Sequence, residues 1–289
     1  FAGDDRAPYG ASCRRTSRPA VACEDEMRLP IFQVDAFTTE RFKGNPAAVV
    51  PLERWLADEC MQAIAAENNL SETAFFVREA DGAFHIRWFS PLTEIDFCGH
   101  ATLASAFVIL EQALAVAPLT FRAAAVGDIQ VIRRSDGLLE LSFPNRAPEA
   151  IAQPPQALLE ALDIVPERIL RNAQAWFAVY ANESQVRSLK PDLQALKAFA
   201  PLDLVVTAPG DRHDFASRYF WPANGGDEDP VTGSIHAGLA PYWAERLGKR
   251  SLIALQASAR SGQLYCRVDD ARVHVAGAAV LYLQGSIEI

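Results

Sequence analysis

Short apolar runs rich in β-branched and aromatic residues recur along the chain, while helical spacing of apolar positions is confined to a few segments. Strands interleaved with a small number of helices are therefore expected. Strand character begins at Leu29-Pro-Ile-Phe-Gln-Val-Asp-Ala-Phe and returns at residues 49–50, 74–77, 84–89, 127–133 and 138–143, each run bounded by Gly, Pro or Asp. Helices are expected over residues 56–67, 102–112, 155–162, 189–199 and 236–247. The stretch 101–110 is apolar almost all round, which predicts a helix buried on every side. With short strands available to cover it, a sheet wrapped around a central helix is the expected packing. Pro241 falls inside the last helical segment and predicts a kink or a late start there.

One pattern repeats. Arg87-Trp-Phe-Ser-Pro91 returns as Arg218-Tyr-Phe-Trp-Pro222, 131 positions on. A polar loop with an aspartate follows each copy, then a glycine with Ser or Thr and His, then a small-residue helix. These are Glu94-Ile-Asp-Phe-Cys-Gly-His-Ala-Thr-Leu-Ala104 and Asp227-Glu-Asp-Pro-Val-Thr-Gly-Ser-Ile-His-Ala237. The repeat predicts two similar halves, with a boundary in the proline-rich stretch after residue 143. The first half covers residues 27–143, with 279–289 expected to return to it, and the second covers 144–278. A strand, loop, glycine and helix in that order leave backbone N–H groups without intrahelical partners at a positive dipole end, where anions bind. Two such turns are placed to converge on one small carboxylate between the halves. Gly99 and Gly233 as plain turn residues, with Ser234 as a helix cap, are the ordinary alternative.

Composition narrows the partners. The 289 residues carry a formal net charge of −9 and no long basic run, which excludes the electrostatic footprint needed for nucleic acid. The longest apolar run is too short to span a bilayer. Five scattered cysteines without a C-x-x-C pair argue against a disulfide framework or zinc site and fit reduced thiols in a cytoplasmic protein. Residues 1–26 mix Arg14, Arg15 and Arg18 with Asp4, Asp5, Glu24, Asp25 and Glu26 and have no apolar core segment. They are expected to be a disordered tail or an over-extended start, with Met27 as the natural initiator.

Acid–base candidates are few. Glu72 stands in Asn69-Leu-Ser-Glu-Thr-Ala-Phe, immediately before an apolar strand, so its carboxyl is drawn inward, where burial favours the protonated form. His100 and Asp229 occupy the two glycine-turn loops, and Cys98 precedes Gly99. Each also has an ordinary reading, as a solvated carboxylate, a turn or cap residue, or a buried inert thiol.

Val34-Asp-Ala-Phe-Thr, Gly44-Asn-Pro-Ala-Ala-Val-Val, Asn69-Leu-Ser-Glu-Thr-Ala-Phe, Phe97-Cys-Gly-His-Ala-Thr-Leu-Ala and Asp229-Pro-Val-Thr-Gly-Ser-Ile-His occur in one order from about Met27 onward. Together they resemble the PhzF-like family of phenazine-biosynthesis isomerases. The resemblance implies the diaminopimelate-epimerase-like α+β fold, two pseudo-symmetric halves that are each a curled, mainly antiparallel sheet around a central helix. It implies Glu72 as general acid/base in the cleft, completed by His100, Asp229 and Ser234. Ser71, Gly99 and Gly233 would be donors to a substrate carboxylate, and Cys98 would stand where one thiol of the two-cysteine epimerases stands. It also implies a homodimer, with no metal or organic cofactor. A second thiol is absent from the Asp229 to Ser234 turn, and Cys266 lies 32 positions beyond it. The reading that follows is an isomerase or epimerase moving a proton on a small carboxylate or amino-acid-like substrate. A binding protein that keeps the fold is the alternative.

Overall fold

The computed structural model describes residues 27–224 and 226–289, and the expected N-terminal tail lies outside them. The first half runs β1 (Arg28–Ala36), β2 (Asn45–Leu52), α1 (Asp58–Asn68), β3 (Glu72–Arg78), β4 (Phe84–Phe89), β5 (Glu94–Ile95), α2 (Gly99–Glu111), β6 (Leu119–Ala123), β7 (Gly127–Arg133) and β8 (Leu139–Pro144). The second begins β9 (Glu149–Ala150), α3 (Gln156–Glu160), β10 (Arg168–Arg171), β11 (Ala175–Val179), α4 (Glu183–Ser188), α5 (Leu193–Leu196) and β12 (Asp203–Pro209). It continues β13 (Phe215–Trp221), β14 (Gly226–Asp229), α6 (His236–Leu247), β15 (Ser251–Gln256), β16 (Gly262–Val268) and β17 (Arg272–Gly277), before β18 (Ala279–Glu288) closes the chain.

The pairings of the two halves match strand for strand. β1 is antiparallel to β2 and β2 parallel to β3, as β10 is antiparallel to β11 and β11 parallel to β12. β4 pairs antiparallel with β3 and parallel with β6, as β13 does with β12 and β15. β18 flanks β1 as β9 flanks β10, and the halves join where β8 meets its counterpart β17, antiparallel. The fold is α+β in two halves, with mainly antiparallel pairing. We propose the division after residue 143, with β18 returning to the first half, on the strength of this correspondence.

The repeated pentapeptide is the matched pair β4 and β13, and the same interaction stands on both. Arg87 forks onto Glu94 at 2.7 and 2.6 Å with its guanidinium over Phe89. Arg218 forks onto Glu228 at 2.8 and 2.9 Å and lies over Phe220. A bidentate Arg–carboxylate pair needs fixed geometry on both partners, so the recurrence ties each loop to its strand in the same way.

α2 is the buried helix the sequence predicts. Ten of its residues are buried, with β1, β2, β3, β8 and β18 around it. α6 fills the same role against β15, β16 and β17, and one continuous core joins the two. α6 starts at His236 and runs on through Pro241, so the late start does not occur. Pro241 has no N–H for the Ala237 carbonyl, and that carbonyl instead accepts the Arg146 N–H at 3.0 Å. The expected helix at 189–199 is interrupted. Asp192, after Pro191, caps a new start by accepting from the Gln194 and Ala195 N–H groups, leaving a short α5. Cys98 and Cys266 are free and buried. Among the described residues no helix is long and apolar enough to cross a membrane.

Candidate active site

A cavity of about 880 Å³ opens between the halves, lined by Glu72, Cys98, Gly99, His100, Asp229, Gly233 and Ser234 among others. The two glycine turns abut: a Cβ on Gly99 would stand 3.7 Å from the Ser234 nitrogen. Gly233 lies so close to the Phe37 ring that a Cβ would come within 3.1 Å of it. Thr102 N–H makes the first bond of α2, to the Cys98 carbonyl, and His236 N–H makes the first of the other turn, to the Gly233 carbonyl. The N–H groups of Gly99, His100, Gly233 and Ser234 come before those bonds and have no intrahelical acceptor. Both turns thus bring partial positive charge to one place.

Asn45, fully buried at the start of β2, ties the second turn to the first half. Its side-chain amide donates to Asp229 Oδ1 at 2.7 Å and to the Val231 carbonyl at 2.8 Å, and its oxygen accepts from Ser71 Oγ at 3.3 Å. Ser71 itself is not on the cavity wall; it supports Asn45. Gly44 sets the approach. Its φ is +65°, its N–H donates to the Ser261 carbonyl at 2.7 Å, and a Cβ there would collide with the Ala36 carbonyl oxygen. Gly44→Ala is therefore expected to cost about 2–3 kcal/mol, through the left-handed backbone and the clash together. A lowered denaturant midpoint at unchanged m-value would show it.

Glu72, His100 and Asp229 form one buried electrostatic unit. Glu72 Oε2 lies 3.0 Å from His100 Nε2, an ion-pair separation between two buried side chains. The two hydrogens of the Asn45 amide go to Asp229 and Val231, so its 3.1 Å approach to His100 Nδ1 is a contact without a shared hydrogen. Nδ1 also faces Cys98 Sγ at 3.3 Å. Burial opposes charging His100, but the carboxylates of Glu72 and Asp229 outweigh it and hold the imidazole pKa above its ordinary value. Burial pushes the Asp229 carboxyl up to about 6, with Glu72 adding to the shift and His100, Thr232 and Asn45 opposing it. Burial, then Glu72, raises the Cys98 thiol well above its usual range, so it stays neutral. Glu72, Cys98 and His100 also offer ligand atoms within 4.8 Å of one another, a spacing one metal ion could bridge.

The second turn is braced from behind. Thr232 Oγ1 donates to Asp229 Oδ2 at 2.5 Å, and its N–H donates to Gln256 Oε1 at 2.8 Å. Gln256 Nε2 donates to the Asp229 carbonyl at 2.8 Å. His236 is fully buried; Nδ1 is 2.8 Å from the Thr232 carbonyl and must carry the hydrogen, while Nε2 has no partner. Burial drives its pKa down to about 4 against the smaller upward effect of that hydrogen bond. A depressed histidine stabilises the fold above its unfolded pKa near 6.5, and that contribution is lost as pH falls towards 4, about 3 kcal/mol in all. Unfolding free energy is expected to drop over that window. His236→Asn, with its amide nitrogen in place of Nδ1, is expected to flatten the dependence; an unchanged pH slope would contradict it.

The family model described as phenazine biosynthesis-like protein, PhzC-PhzF, matches residues 34–285. The chain belongs to that family. A Pseudomonas aeruginosa protein named an uncharacterized isomerase is 48% identical over 263 residues, covering 91% of this chain and all of its own. The solved PhzF-family structure from Enterococcus faecalis matches with a TM-score of 0.85 at 44% identity, covering 91% of this chain and all of that one. A hydroxyproline epimerase from Agrobacterium vitis, solved with bound trans-4-hydroxy-L-proline, shares the fold at a TM-score of 0.59 and 10% identity, covering 91% and 93% of the two chains.

In this PhzC-PhzF chain seven of the eight residues singled out from the sequence, Glu72, His100, Cys98, Asp229, Gly99, Gly233 and Ser234, line one cavity, and Ser71 stands behind it. The position that mirrors Cys98, immediately before the second glycine, is Thr232, whose hydroxyl is committed to Asp229. No second thiol faces Cys98 there. Asn45, Thr232, Gln256, Gln174 and Tyr219 were not foreseen as site residues. Asn45 had a visible signal in Gly44-Asn-Pro, where a glycine and a proline hold a polar residue that is buried; Thr232 and Tyr219 lie inside the quoted turn and repeat motifs, while Gln174 and Gln256 are single polar residues outside any motif.

Proposed function

We propose that the chain is a cofactor-independent isomerase or epimerase that moves a proton on a small carboxylate or amino-acid-like substrate, with Glu72 as the general acid/base. The observation carrying this reading is one buried carboxylate on the cavity wall, paired with His100 and set beside two converging helix-start turns. The substrate carboxylate sits against the N–H groups of Gly99, His100, Gly233 and Ser234, and its neighbouring C–H faces Glu72. As Glu72 takes the proton, charge develops toward the carboxylate, where those N–H groups already point. His100, whose pKa is raised by its two carboxylate neighbours, stands 3.0 Å from Glu72 and balances negative charge there. Asp229 in turn steadies His100. Return of the proton to another atom completes an isomerisation. The names of the bacterial relatives, isomerases at 41–48% identity, support the same reading.

Incubating the protein with pooled carboxylic and amino-acid metabolites in deuterium oxide tests it. Mass gain in one or more metabolites is expected, dependent on Glu72 and persisting after chelator treatment. Carboxylates that bind in calorimetry without exchanging protons would favour the binding-protein alternative. Exchange lost with chelator would place a metal on Glu72, Cys98 and His100.

A further inference from the structure

The cavity wall of the second half carries a polar chain that the proton transfer does not use. Asp203 opens β12 as Glu72 opens β3, 131 positions earlier, and each pairs in parallel with an alanine, Ala175 and Ala47. Tyr219 Oη lies 2.6 Å from Asp203 Oδ2. Gln174 Nε2 reaches Tyr219 Oη at 3.3 Å and Ser234 Oγ at 2.9 Å. All four residues line the cavity.

Counting hydrogens gives the chain a direction. Tyr219 has one hydroxyl hydrogen, and the short contact with a carboxylate takes it; burial and the Asp203 charge keep that proton on the phenol. The Tyr219 oxygen can then only accept from Gln174, which puts the amide nitrogen, not the amide oxygen, against both hydroxyls. One amide hydrogen goes to Tyr219 and the other to Ser234. Ser234 Oγ is therefore already an acceptor, and no acceptor among the described residues takes its own hydrogen.

We propose that Gln174 and Tyr219 are positioning residues which, anchored on Asp203, hold the Ser234 hydroxyl as a hydrogen-bond donor aimed into the cavity at the substrate carboxylate. The inference rests on the reading that a carboxylate occupies the paired turns. It gives the second turn a directed side-chain donor beside its backbone N–H groups. Asp203 thus serves the anion indirectly, although its own charge would repel it.

The test is a double-mutant cycle on ligand affinity, read by calorimetry in a Glu72→Gln background so that turnover does not intrude. The probe is the metabolite that exchanges in the pooled incubation or, if none does, the tightest binder among acetate, L-lactate, L-proline and succinate. Ser234→Ala is expected to weaken binding about tenfold, the loss of one hydrogen bond to a charged group. Gln174→Met should lose about as much, and Tyr219→Phe, which keeps the ring but drops the anchor, several-fold. Gln174→Glu should be worse than Gln174→Met, because its carboxylate would capture the Ser234 hydrogen. Once Ser234 is Ala, Gln174→Met should cost less than twofold, since it acts through the missing hydroxyl. Losses that multiply in the double variant, an unchanged affinity in Gln174→Met, or no carboxylate binding at all would overturn the inference. Glu72-dependent exchange with multiplying losses leaves the isomerase reading standing; coupling without any exchange leaves the donor chain standing and removes that reading.

Discussion

Glu72→Gln is expected to slow deuterium exchange into the substrate by about 10³-fold, close to 4 kcal/mol of barrier, because a positioned general base contributes on the order of 10²–10⁴ and nothing nearby can replace it. Glutamine keeps the size of the side chain and can still face His100 Nε2, so the folded protein should melt within a few degrees of the parent. The neighbouring groups fail as substitutes for identifiable reasons. Cys98 is held as a neutral thiol by burial and by Glu72. Both Asp229 oxygens are already accepting, from Asn45 and from Thr232. His100 has its proton held by the Glu72 and Asp229 carboxylates, which raise its pKa above the ordinary value. Glu72→Asp should retain part of the rate, since it leaves the base but withdraws it by one methylene. Full exchange in Glu72→Gln, measured by mass spectrometry on a variant shown to be folded, would remove Glu72 from the role.

Much of the first half and of the site could be read along the chain, and what escaped did so for physical reasons. β4 and β7 fall where the apolar runs end, because their faces differ and loops with Gly, Pro or Asp bound them. β11 escaped: all five of its residues are buried, so it has no alternation to betray a strand. The repeat was visible since Arg87 and Arg218 must each fork onto a glutamate of the short strand that follows, Glu94 in β5 and Glu228 in β14, which keeps the pentapeptide's form in both halves. The loops that follow differ in length, and that hid how closely the two turns correspond. Glu72, His100 and Asp229 lie in short motifs and were legible. Gln174 and Gln256 were not, because their roles exist only after β11 pairs with β12 and β15 comes alongside β13. Convergence by strand pairing leaves no trace in local spacing.

Asn45→Ala is expected to destabilise the protein by about 2–4 kcal/mol, the cost of leaving two buried acceptors without their donor. Asn45 is the side chain through which the start of β2 holds Asp229 and Val231 of the other half. Without it, Asp229 Oδ1 and the Val231 carbonyl are both left buried and unsatisfied. Asp229 already sits above its ordinary carboxyl range, at about 6, with the Asn45 hydrogen bond pulling it down. Losing that bond moves it further up, so Asp229 takes a proton near neutrality and His100 loses one of the two charges that hold it protonated. Asn45→Asp separates this electrostatic account from simple loss of packing. It places a second carboxylate against Asp229, and two acids so close share one proton. A pair whose folded pKa is raised stabilises at low pH and loses that stability as pH rises. Relative to the parent at each pH, both variants should therefore gain stability as pH falls from 7 to 5, and Asn45→Asp, which adds a second carboxyl to the pair, should do so more steeply than Asn45→Ala. Denaturant unfolding of the three proteins at several pH values reads both differences. Parallel curves for Asn45→Asp and Asn45→Ala would mean that Asn45 fills space between the halves rather than neutralising the carboxylate that the second turn presents to the site.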